Sequence, residues 1–463
     1  MTESSRLVRD SERVLAASAL SGMGACIADV RRAVADSDRG PQDPTNFNNL
    51  RGRLSTLRET LPPLYRETFF DPFVATINGL GPAGFQDVLL NSPNAAMLMM
   101  DAAHAILQNG EGYQKVALDA FQEVVSDLYD GFLSAEDRAG VKAPDRGVIP
   151  PLVKFGNPEF GPYTWPIEAT ASFALTQGAG LGAGIVNLPP ANGRMGLLAW
   201  AALGHETGGH DILSADTGLK SELTRAVEKA LVDAGLPDLG SYWSERIDET
   251  ASDVLGILNM GPVAGMGLIA FFRGLSRDGR LRNNGPSSDS HPADILRGFL
   301  AAATVRLLSF DDSESWADLI LGETQADLVQ VVLAGREVSS EDAQLSAELV
   351  ARAIATTPLQ ALENTALIQI QDWRAADEDI AAEVRELLVQ AVPIPTRWDD
   401  GVYAAHVVAA AGTAALAGSA DVGTIFQRML AALKSMHDAN PSAGPLFVAH
   451  PGNMKRHHAY VAA

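Results

Sequence analysis

The segment Gly204-His205-Glu206-Thr207-Gly208-Gly209-His210 brings two histidines and a carboxylate together in a glycine-rich context. Histidine nitrogens are good ligands for zinc, and a glutamate beside them can act as a general base on a metal-activated water. In the common HExxH arrangement the histidines are four residues apart, which places them about 40° apart around a 3.6-residue helix. Here the spacing is five, and on a regular helix the side chains would diverge by about 140°. A local widening to an i→i+5 turn realigns them, and such turns recur at functional sites. Gly208 and Gly209 allow that backbone, although two adjacent glycines cost a helix about 2 kcal/mol against alanine. The helix that carries the motif is expected from Arg194 to about Leu213.

A catalytic zinc needs a third protein ligand and an open position. In the stretch from Ser244 to Asp253, Glu249 and Asp253 are four residues apart and share one helix face. Glu249 is expected as the third ligand. Asp253 is expected to accept the outer N–H of a ligand histidine and so fix its tautomer.

These residues resemble the gluzincin metallopeptidases, in which a helix with two zinc-binding histidines is followed by a helix bearing a Glu-x-x-x-Asp pattern. The five-residue HExxGH spacing is similar to that of the dipeptidyl-peptidase III branch. Thr250 and Ala251 depart from that branch's third-ligand motif, so the resemblance is to gluzincin type and runs from the strand before His205 to the helix after His291. It implies a zincin-like catalytic domain, one zinc ion, and hydrolysis of a peptide bond with Glu206 as general base. It also implies an oxyanion donor after the third ligand, for which His291 in Asp289-Ser290-His291-Pro292 is best placed, helped by Tyr242 or Arg297. His291 could equally serve a helix-capping turn. Val186, Asn187 and Leu188, on a short strand ahead of the metal helix, are expected to bind substrate as an edge strand pairing with an extended backbone.

The elements that must position these groups are mainly helical. Apolar residues recur at helical spacing over 96–107 and 116–132, then over 316–333, 340–354, 380–392, 402–416 and 422–436. Polar, Pro- and Gly-rich stretches at 36–49, 134–151, 276–290 and 392–401 punctuate the chain. The reading is an N-terminal helical domain (1–145), a zincin-like catalytic domain with a short β-sheet (146–310) and a C-terminal helical domain (311–463). The uncharged segments 14–28 and 254–272 are expected as packed helices rather than a leader or a membrane span, the second because it holds Asn259, Pro262 and four glycines.

Composition narrows the partners. With 35 basic and 57 acidic residues the net charge is −22, a field that repels phosphate backbones, so nucleic acid is not expected. Cys26 is the single cysteine, which rules out an intramolecular disulfide or a cysteine zinc site and suits a cytoplasmic, reducing setting. His104, His406, His437, His450, His457 and His458 lack metal-like spacing and are expected in structural roles. The glycine-rich run 178–184 reads as a substrate-side loop, and Arg273, Arg277, Arg280 and Arg282 as a solvated loop or a carboxylate-binding patch. The expected substrate is a peptide or a small-molecule amide. Two alternatives stay open: a zinc hydrolase or lyase on a small non-peptide metabolite, and a non-catalytic helical binding protein with a structural or vestigial metal site.

Overall fold

The computed structural model describes residues 20–133, 138–146, 149–172, 180–396 and 401–439. Helix dominates, with two three-stranded sheets. The first helices are α1 (Met23–Ala35), α2 (Phe47–Leu54), α3 (Asp71–Asn91), α4 (Pro93–Glu111) and α5 (Lys115–Leu133). They are followed by β1 (Leu152–Phe155), β2 (Tyr163–Trp165) and β3 (Ile185–Leu188). The segment with the histidine motif comprises α6 (Leu197–Ala201), α7 (Leu203–His205) and a π-helical turn over Glu206–Asp211. Then come α8 (Leu219–Asp233), α9 (Pro237–Ser244), α10 (Ile247–Met260), α11 (Pro262–Leu275) and β4 (Asn284–Gly285). The remainder is α12 (Asp294–Val305), α13 (Ser313–Ala326), β5 (Val331–Leu333), β6 (Arg336–Val338), α14 (Ser340–Thr356), α15 (Ala375–Gln390), α16 (Ala404–Leu416) and α17 (Val422–Ala439).

The site-bearing sheet has the order β1-β3-β2, with β1 parallel and β2 antiparallel to β3. The strand expected before the metal helix is therefore present, but as the middle strand. All four of its residues are buried, so Val186, Asn187 and Leu188 offer no free backbone edge, contrary to the sequence expectation. The outer edge of β1 is closed as well. Gln108 of α4 donates to Phe155 O (2.7 Å) and accepts from Phe155 N–H (2.8 Å), while Val153 N–H donates to Gln122 Oε1 of α5 (3.2 Å). Among the described residues the other edge strand, β2, has no such backbone cover.

The uncharged run 254–272 does not form one span. It breaks at Gly261, whose φ of 71° only glycine adopts cheaply, into α10 and α11, both buried along most of their length. Among the described residues no helix is long and apolar enough to cross a membrane. One expected helix ends early. The periodicity over 316–333 covers α13 only to Ala326, and 331–333 is β5, paired with β6 through a turn at Ala334 and Gly335, both with positive φ. The larger apolar cluster takes members from Met23 to Met436, so packing runs across the boundaries expected near 145 and 310.

Candidate metal centre

The five-residue histidine spacing is resolved by the backbone. The π-helical turn over Glu206–Asp211 turns His210 back toward His205, and the two imidazoles meet edge to face with ring centroids 4.8 Å apart. Gly209 has a second role that the sequence reading missed. A Cβ there would sit 2.3 Å from Ser252 Cβ and 2.4 Å from Ser252 Cα, and one on Gly256 would sit 2.8 Å from Gly204 C. The histidine segment and α10 thus cross backbone to backbone, and that approach carries Glu249 to the histidines.

Glu249 Oε2 lies 3.3 Å from His205 Nε2, and Oε1 lies 3.6 Å from His210 Nε2. Ligand atoms about 2.0–2.1 Å from a tetrahedral zinc are about 3.4 Å from one another, so these separations suit a shared ion. Three ligand atoms, one from each residue, all lie within 4.8 Å of each other. Among the described residues Glu249 Oε2 is buried without a hydrogen bond of good geometry, although His205 Nε2 faces it at 3.3 Å. A buried carboxylate oxygen of this kind has the chemistry of a metal ligand.

The charge on these groups is coupled. Burial opposes a proton on His205, but the hydrogen bond and charge of Asp253, with the facing Glu249, outweigh it and push its pKa up to about 10. Burial likewise opposes the charge on Glu249, yet His205 and His210 hold its carboxyl well below the usual range. Asp248 lies near Lys220 Nζ (2.8 Å) and His210 Nδ1 (3.8 Å); burial works against its charge, but these groups bring its pKa to about 2.

Behind His205 the expected outer carboxylate is in place, with Asp253 Oδ1 2.7 Å from His205 Nδ1. Arg297, expected near an oxyanion, stands here instead. It grips Asp253 with Nε to Oδ2 and Nη2 to Oδ1, both 2.7 Å, and is 5% exposed. Its guanidinium is therefore committed to holding Asp253 on the side of His205 away from Nε2, and is not free to donate to a substrate. Tyr242 is also redirected, since its buried hydroxyl accepts from Ala293 N–H at 3.1 Å. It thereby fixes the segment after His291. His291 itself reaches the centre, with Nε2 3.4 Å from Glu249 Oε1 and the side chain half exposed. Its backbone N–H also donates to Asp289 Oδ1 (2.9 Å), so the turn role and the site role coexist.

Glu206 is buried beside the ligands. The Thr164 hydroxyl on β2 lies 3.0 Å from both Glu206 Oε2 and Glu206 O. Thr164 was not foreseen, because a three-residue strand leaves almost no sequence pattern. Asp211, next to His210, was also missed; burial pushes its carboxyl up to about 7, against the hydrogen bond from Ile167 N–H (2.5 Å).

Compared with protein-family models, curated proteins and solved structures, the chain has no match. The geometry therefore stands by itself.

The other sequence candidates resolve as structural groups. His104 pairs with Asp43 (2.8 Å), His406 with Asp377 (3.1 Å), and His437 lies between Asp119 and Glu123. Arg273 is buried in ion pairs with Glu323 and Asp327, and Arg282 contacts Asp289 and Asp294, so these two do not form a free patch. His450, His457 and His458 lie outside the described residues, as does the 178–179 part of the glycine run.

Proposed function

We propose that this chain is a zinc-dependent hydrolase of gluzincin type that cleaves a peptide amide bond. The observation that carries the reading is the meeting of His205, His210 and Glu249 across the π turn, with Glu206 buried beside them. A zinc ion held by these three would polarise a substrate carbonyl and bring the pKa of a water toward 7.

The chain's own groups then divide the work. Asp253 and Arg297 hold His205 so that Nε2 faces the centre. Glu206 takes the proton from the attacking water and returns it to the leaving nitrogen. His291, on the exposed side of Glu249, donates to the carbonyl oxygen as it gains charge, a contribution of about 3 kcal/mol for one such donor. The role first assigned to Val186, Asn187 and Leu188 passes to β2. It is an edge strand of that sheet and carries Thr164, which touches Glu206, so a substrate backbone pairing with it would lie near the site.

The test is a digest of a quenched peptide library by the zinc-loaded protein and its Glu206→Gln variant. The variant is expected to bind the same zinc and to lose at least about 100-fold in rate, the low end of general-base contributions. Full activity in the variant, or no cleavage of any peptide by the zinc-loaded parent, would contradict the proposal.

A further inference from the structure

The proposed mechanism needs Glu206 to point one way, and the structure holds one side-chain hydrogen bond to its carboxylate among the described residues. That bond comes from Thr164. The way β2 is anchored shows how a strand of three residues can aim a hydroxyl.

Residues paired across strands share a face, and successive residues alternate. Lys154, Asn187 and Tyr163 therefore form one row across β1, β3 and β2, and Val153, Val186 and Thr164 form the next row on the opposite face. The first row is a closed polar network. Lys154 Nζ has its three donors matched by Asn187 Oδ1 (2.7 Å), Asp101 Oδ1 (2.9 Å) and Tyr163 OH (3.1 Å). Asp101, from α4, also accepts through Oδ2 from Tyr163 OH and Trp165 Nε1, both at 2.7 Å. Lys154 and Asp101 are almost wholly buried, so the network has no freedom to loosen into solvent. It grips β2 through the side chains on both sides of Thr164.

The second row is apolar except at Thr164. Valine has the same branched shape and equal fitness for a strand, so packing alone would be met by a third valine. What threonine adds is the hydroxyl, and it faces Glu206.

We infer that Thr164 is a positioning residue for Glu206, presented by a strand that the Asp101–Lys154–Tyr163–Trp165 network clamps from behind. Among the described residues Thr164 hydrogen-bonds to Glu206 and to none of His205, His210 and Glu249. It acts by holding the carboxylate in the orientation that takes a proton. The inference rests on the proposed zinc-hydrolase reading.

The experiment uses the full chain loaded with Co2+, whose visible spectrum reports on the metal and on anything that joins it. Acetohydroxamate is the probe, because it chelates the metal and hydrogen-bonds to a neighbouring carboxylate. Parent, Thr164→Val, Thr164→Ser and Glu206→Gln are compared for cobalt affinity, acetohydroxamate affinity, and kcat against KM on a peptide taken from the library digest. Thr164→Val is expected to keep its cobalt affinity and to bind acetohydroxamate about tenfold more weakly, the loss of one hydrogen bond to a charged group. Its kcat falls with KM unchanged, Glu206→Gln moves in the same direction, and Thr164→Ser recovers the parent values. A Thr164→Val variant equal to the parent in both probe affinity and kcat, while Glu206→Gln loses both, overturns the inference and leaves the zinc reading intact. Loss of cobalt affinity in Thr164→Val without recovery in Thr164→Ser also overturns it, since that marks a merely structural role. A parent chain that binds no cobalt ends both readings.

Discussion

Gly209→Ala tests whether the close crossing of two helices builds the site. The new Cβ would stand 2.3 Å from Ser252 Cβ and 2.4 Å from its Cα, whereas carbon atoms pack at about 3.5–4.0 Å. The backbones must therefore separate by about 1.2 Å, well beyond the deviation of about 0.2 Å that a metal site tolerates in its ligand distances. Ser252 lies between Glu249 and Asp253 on α10, and Gly209 directly precedes His210, so the shift falls on the ligands themselves. Stability is a poor readout here, because an overpacking cost of about 1–3 kcal/mol is partly offset by a helix-propensity gain of about 1 kcal/mol. Zinc affinity is the sensitive one, and we expect it to weaken by at least about 100-fold, as with strong perturbations around a metal. At a free zinc concentration of 100 times the parent's Kd, the metal stabilises the parent by about 2.7 kcal/mol and the variant by only about 0.4 kcal/mol. Urea unfolding with buffered zinc and with a chelator measures both values. Adding Ser252→Gly should restore little, because the Cα of residue 252 remains in the way. A folded Gly209→Ala variant with the parent's zinc-linked stabilisation would refute the reasoning.

Four further outcomes are expected. With its pKa pushed up to about 10, His205 carries a proton in the metal-free protein at neutral pH, and zinc must displace it. Calorimetry in buffers of different ionisation enthalpy should find at least one proton released per zinc bound near pH 8, and no release would contradict this. Because that folded pKa lies above the unfolded value near 6.5, the metal-free protein loses the contribution of this pair as pH rises through about 10. Asp253→Ala leaves Arg297 buried without its partner and should cost about 3–5 kcal/mol in urea unfolding, with part recovered by adding Arg297→Leu. Asp211 is raised by burial to about 7 from an unfolded value near 3.8, so its contribution is present below that lower value and lost as pH rises through about 7. Asp211→Asn should flatten that part of the curve of urea midpoint against pH, and an unchanged slope would show that Asp211 is not its source.

The centre was legible in the sequence because helical geometry is local. A five-residue spacing on a regular helix points the two imidazoles apart, so their meeting requires a widened turn, and the π turn is there. The four-residue spacing of Glu249 and Asp253 likewise fixed one face of α10, and both residues lie where that face predicts. What sequence could not supply is tertiary assignment. Arg297 has the charge wanted for an oxyanion, but only the packing of α12 against α10 shows that Asp253 consumes it. The strand at 185–188 was recognisable from its residues, whereas its central place depends on β1 and β2 pairing on either side. Thr164, Tyr163 and Lys154 lie on β2 and β1, which are too short to leave a pattern. The overlong helix at 316–333 shows the same limit, since apolar Val331 and Leu333 fit a helical period and a β-hairpin equally well.

The most direct measurement is zinc content by equilibrium dialysis, with the parent compared against His205→Ala, His210→Ala and Glu249→Ala at the same free zinc concentration. One ion per parent chain is expected, with each of the three variants binding far more weakly. A parent chain that takes up no zinc, or three variants that retain it with undiminished affinity, would contradict a centre built from these residues.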